Sequence, residues 1–134
     1  MDKIRFLRPA ELLQSPAFSF VAVVPPGATT IHIGGLNAVD AEGTLVGEGD
    51  IAKQTEQVLA NLRIALAAAG ASMHDLVSWQ LFVVEGVDLT AGYQVAAAAL
   101  PPDRDPPLIT VALVPSLGVP GALLELSAIA AVVR

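Results

Sequence analysis

Few residues in this chain are equipped for chemistry. Glu125 is the one charge inside LLELSAIAAVV, and a carboxylate in an apolar strand needs hydrogen bonds or a raised pKa to be tolerated there. It is the first candidate for a functional residue. Gly34 and Gly35 follow a β-branched stretch, where glycine backbone N–H groups can bind an anion or a carbonyl oxygen. Alternatively, the pair serves only a β-bulge or tight turn. His32, between Ile31 and Ile33, points opposite to both on a strand and is either a base in a cleft or a structural histidine. His74, beside Asp75, reads as a loop residue and Trp79 as a buried core ring. Arg104, flanked by Asp103 and Asp105, reads as a solvated loop with an ion pair of little energetic weight. There is no cysteine, hence no thiolate nucleophile, disulfide or zinc knuckle, and the two histidines are far apart. No metal, cofactor or redox chemistry is expected.

The scaffold for these residues is 134 residues long, which suits one domain over residues 1–134. A chain that is 54% hydrophobic and 15% charged folds, and that apolar content is high for a small domain. Some of the surface is therefore expected to meet another copy. The net charge is −6, with the seven basic residues scattered from Lys3 to Arg134. Without a basic stripe the chain is poorly equipped to neutralise phosphates, so no nucleic-acid partner is expected. Polar residues interrupt the N-terminal stretch, and no segment approaches the ~18 continuous apolar residues of a membrane span. A cytoplasmic protein without a membrane partner is the expectation.

Hydrophobic period locates the elements. The run FSFVAVV at residues 18–24 predicts a strand broken by Pro25, Pro26 and Gly27. Residues 29–33 predict a second strand and residues 44–46 a short third. From Asp50 the period becomes helical, with Ile51, Thr55, Val58, Leu59, Leu62, Leu66 and Ala69 on one face. Asp50 caps this helix and Gly70 closes it. Residues 77–84 alternate as a central strand. A second helix starts at Asp88 and ends before Pro101 and Pro102. Strands near 108–114 and 123–133 complete the order ββ(β)αβαββ, an α/β (α+β) sheet with both helices on one face. The other face, carrying members of FVAVV, WQLFVV and LLELSAIAAVV, would lie in water in a monomer, which predicts a closed homo-oligomer built on sheet faces.

This order, with GDIAKQTEQVLANLRIALAAAGASMHDLVSW in the middle and LLELSAIAAV at the end, resembles the Rid family, also called YjgF-like and labelled endoribonuclease L-PSP. The specific parts are GD-x3-Q-T-x2-V-L-x-N-L from Gly49 to Leu62, then Ala69-Gly70 with Asp75-Leu76-Val77, and Glu125 with Ala128-Ile129-Ala130. The resemblance implies a chorismate-mutase-like fold assembled as a homotrimer, its sheets forming a central barrel and its ligand clefts lying between subunits. It also implies hydrolysis of enamines and imines such as 2-aminoacrylate and 2-iminobutanoate to 2-keto acids and ammonia. In active relatives an arginine in a Pro-x-Arg motif grips the substrate carboxylate with its planar fork. Here that position is Leu108, in Pro106-Pro107-Leu108. An aliphatic side chain gives up contacts of ~1.5–3 kcal/mol each. Arg104 lies about 13 Å upstream as extended chain unless the loop folds back.

The family's Ser-Gly-Gln signature reads Gly34-Gly35-Leu36 here, and Asn37 is placed to supply the lost amide. Glu125 matches the glutamate that holds or activates the hydrolytic water, or else it is a barrel-lining carboxylate bonded to backbone amides. Thr110 matches a cleft-wall cysteine, or packs as a β-branched strand residue. Phe18 matches a ring over the cleft, or is core. The resulting function is binding of a small-molecule ligand between subunits, with hydrolysis of an imine, enamine or related carbonyl compound by a Glu125-oriented water. Activity on 2-iminobutanoate should be weak or absent. The alternative is a non-catalytic binding or regulatory trimer, and the third reading is an endoribonuclease or translation inhibitor.

Overall fold

Alternation along one strand divides the molecule into layers. In a computed structural model that describes residues 3–133, β4 (Leu76–Val84) turns Trp79, Leu81 and Val83 into the core. Because successive side chains point to opposite faces, Ser78, Gln80, Phe82 and Val84 occupy the other side. β4 is flanked by β5 (Leu108–Val114), parallel to it, and β6 (Leu124–Val132), antiparallel. β3 (Thr29–Leu36) lies outside β6, giving the order β3-β6-β4-β5.

α1 (Ile51–Ala68) and α2 (Leu89–Ala99) connect these strands and pack on each other. Asp50 Oδ1 accepts from the Lys53 N–H at 3.0 Å, satisfying one orphan donor of the first turn. The opposite end closes when Gly70 takes φ +75°, so that Gly70 N–H reaches Ala67 O and Ala71 N–H reaches Leu66 O. That left-handed turn favours glycine. Asp88 caps α2 by accepting from the Thr90 N–H, a bond that holds its carboxyl below the usual carboxylate range. Leu59, Leu62 and Leu66 of α1, with Leu76, Leu124 and Leu126 of the sheet, form the core between helices and sheet.

Three expectations need correction. The run 18–24 yields only β2 (Val21–Val23), paired with β1 (Arg5–Leu7), a strand that hydrophobic period does not predict, in a separate two-stranded ribbon. Ser19 is diverted because its N–H and hydroxyl go to Pro107 O (3.3 Å) and Pro106 O (2.7 Å). Residues 44–46 form no strand, only a bridge between Val39 and Leu45. The open sheet face is also less apolar than expected. The register aligns Thr110, Gln80 and Ser127 as a polar row across three strands, with Ser127 Oγ donating to Gln80 Oε1 at 3.4 Å. Among the described residues, no helix is long and apolar enough to cross a membrane.

Candidate functional site

The Gly34-Gly35 pair sits in a bulge. From Ile33 opposite Ala128 to Leu36 opposite Leu126, β3 carries one residue more than β6. The irregular backbone brings Gly35 flat against the Glu125 side chain, where an added Cβ would stand 2.8 Å from Oε2 and 2.9 Å from Cδ. Glycine is required there by close approach rather than by backbone angle. Asn37 completes the group, since its Nδ2 donates to Leu124 O at 3.1 Å and to Glu125 Oε1 at 3.5 Å. Glu125 is half-buried, and its Oε2 accepts no hydrogen bond from the described residues. An anchored carboxylate with one oxygen unengaged can hold a water and accept its proton.

Two α1 side chains, noted in the sequence only as parts of a motif, hold this group from behind. Asn61 Nδ2 donates to Asn37 O and Val39 O, each at 2.9 Å, and its Oδ1 accepts from Gln57. Gln54 is fully buried, donates to Gly47 O and Gly121 O, and accepts from the Leu123 N–H at 2.9 Å. It ties both flanking loops to the helix just before Glu125.

The remaining expected site residues lie elsewhere on the sheet. Leu108 is opposite Ser78, whereas Glu125 is opposite Phe82. Both occupy the open face, four residues apart along β4 and two strands apart across it. At ~3.3 Å per residue and ~4.8 Å per strand, the separation is about 16 Å. One small ligand cannot touch both within one chain. Phe18 lies at the Leu108 end, stacked edge-to-face on Phe20 at 5.3 Å and tethered through Ser19 to Pro106 and Pro107. Leu108, Thr110 and His32 line a concavity of about 430 Å³ with Gln80, Ser127 and Ile129. Leu36, expected at a cleft wall, instead packs against the core beside Leu126, because the bulge returns it to the helix side. Gly34 has open space where a Cβ would go.

Arg104, four residues before Leu108, is engaged elsewhere. Its Nη1 donates to His74 O at 2.7 Å, its Nε to Asp105 O at 2.7 Å, and its guanidinium carbon lies 4.6 Å from the Phe6 ring centroid. In this loop Arg8 forms an ion pair with Asp105, and His74 Nε2 lies 3.0 Å from Asp103 Oδ1. Trp79 is buried in the core. Among the described residues, no group of three or more His, Cys, Asp or Glu could hold a metal ion.

Comparison with known proteins places this geometry in a family. The endoribonuclease L-PSP family model matches residues 12–132. The chain is 31% identical over 101 residues to the 3-aminoacrylate deaminase RutC of Acinetobacter baylyi, covering 75% of this chain and 77% of that protein. The crystal structure of the conserved Rid family protein YyfB of Yersinia pestis, described as of unknown function, superposes with a TM-score of 0.85 at 34% identity, covering 97% of this chain and 98% of that one. RidA from an Antarctic Psychrobacter gives 0.67 at 25% identity, over 87% and 95% of the two chains. The α+β layering, two helices on one sheet, is the chorismate-mutase-like fold of these proteins. The chain belongs to the Rid (YjgF-like) family, whose matching model is described as endoribonuclease L-PSP.

Proposed function

We propose that this protein is a divergent Rid homotrimer that binds a small metabolite between subunits and hydrolyses a carboxylate-free imine, enamine or related carbonyl compound. Glu125 orients the attacking water, and the imine nitrogen leaves as ammonia. The observation that carries this reading is the Glu125 carboxylate, steadied on Oε1 by Asn37, open on Oε2, and seated against a glycine that leaves it room. The separation of Glu125 from Leu108 within one chain supports a cleft completed by a neighbour. Leu108 in the arginine position supports a substrate lacking the usual carboxylate. The 31% identity to RutC, named for deamination of 3-aminoacrylate, supports a hydrolysis that releases ammonia.

The test is ammonia release from a panel of neutral imines, with 2-iminobutanoate and 3-aminoacrylate alongside. Release above the uncatalysed rate is expected on a neutral member and lost in Glu125→Gln. Undiminished turnover in that variant rejects the assignment. A second reading, a non-catalytic binding module, is favoured by the apolar residues Leu108 and Ile129 lining one concavity. It predicts a ligand-induced rise in melting temperature without turnover.

A further inference from the structure

A cavity of about 870 Å³ opens between β1, the 3-10 turn Met73–Asp75, the loop at 102–105 and the end of β6. Neither Glu125, Gly35, Asn37 nor Leu108 lines it. Its wall carries three acids and three strong bases, but the acids are already engaged. Asp75 accepts from the Ser72 N–H at 2.9 Å, Asp103 pairs with His74 at 3.0 Å, and Asp105 pairs with Arg8 at 3.2 Å. The bases retain spare donors. The side chains of Lys3 and Arg5 have no partner among the described residues. Arg104 is fixed by Phe6 and three carbonyls, yet its Nη2 is buried and donates to nothing.

A buried N–H without an acceptor is rare in folded proteins, and on a cation it is costly, so such a group calls for a missing oxygen. Burial pushes the Arg104 guanidinium below its ordinary value, while Asp75, Asp105 and Asp103 pull it back up. It remains a cation. In a chain of net charge −6, three basic residues with unused donors therefore face one cavity, with Phe6 and Leu7 beside them as apolar wall. The volume is that of a small-molecule site.

We propose that this cavity is a second ligand site that binds a small organic anion, with Arg104 as its anchor and Lys3 and Arg5 as rim charges. The head group is a carboxylate or phosphate and the body is apolar, resting on Phe6. The site is independent of the Glu125 cleft.

The experiment titrates the full-length protein with benzoate, phenyl phosphate and neutral benzamide, following amide NMR shifts. Benzoate, phenyl phosphate or both should bind saturably and move the amides of Phe6, His74 and Arg104 rather than those of Gly35 and Glu125. Benzamide should not. The double variant Lys3→Ala/Arg5→Ala, which removes side chains that make no bond to the described residues and leaves the β1 backbone pairing in place, should weaken binding about tenfold. Arg104→Gln should lose saturable binding. Failure of both anions to bind, binding mapped to Gly35 and Glu125, or binding unchanged in the double variant would each overturn the proposal.

Discussion

Gly35 leaves the space that the Glu125 side chain fills, and this one contact decides how the carboxylate is held. The atoms a methyl group would strike belong to the outer part of a flexible side chain, so Gly35→Ala should shift the carboxylate rather than unfold the protein. Misplacement by about 1 Å can cost ~10²-fold in rate. The variant is therefore expected to lose turnover by about that factor while its melting temperature stays near wild type, which ammonia assay and calorimetry check together. Leu108→Arg addresses the other end of the face. It supplies a planar donor for a carboxylate and should raise 2-iminobutanoate hydrolysis above the wild-type level, whereas an unchanged rate would show that this side chain alone does not set the substrate. Glu125 was legible in the sequence because a lone charge breaks an apolar run. Leu36 enters the sequence reading only through the family signature, and the Gly34-Gly35 bulge, offered there as the alternative role of the pair, turns it toward the core.

At the scale of elements, α1 does more than cover the sheet. Gln54 makes three hydrogen bonds from a fully buried position and joins the 47 and 121–123 loops to the helix. Gln54→Leu would leave the Leu123 N–H and two carbonyls without that partner, and should destabilise by ~1–3 kcal/mol in urea unfolding. Glu56→Ala, two residues on and exposed on the opposite side of the helix, should change stability by no more than ~0.5 kcal/mol. Helical periodicity alone could not separate Gln54 from its exposed neighbours, since polar residues on an amphipathic helix are read as solvent-facing. Caps were easier, because Asp50, Gly70 and Asp88 act through local geometry. β1 escaped notice because RFL is three residues long and its pairing with β2 depends on contacts distant in sequence.

For the whole molecule, the sheet has one face under helices and one face open. The open face carries the Glu125 group at one end and Leu108 and Thr110 toward the other. In the proposed trimer, one subunit's Glu125 end would meet another's Leu108 end. Phe82 and Ile129 on the same face would supply apolar contact in the proposed trimer, while the row of Thr110, Gln80 and Ser127 makes this face more polar than composition suggested. The layer order was readable from the change of hydrophobic period. The polarity of the open face was not, because it depends on which of two alternating sets the helices cover.

The most direct test of this account is the molar mass of the purified protein in solution, measured by light scattering on a size-exclusion column. The account predicts a mass three times that of the 13.8 kDa chain. A stable species with the mass of one chain would contradict it.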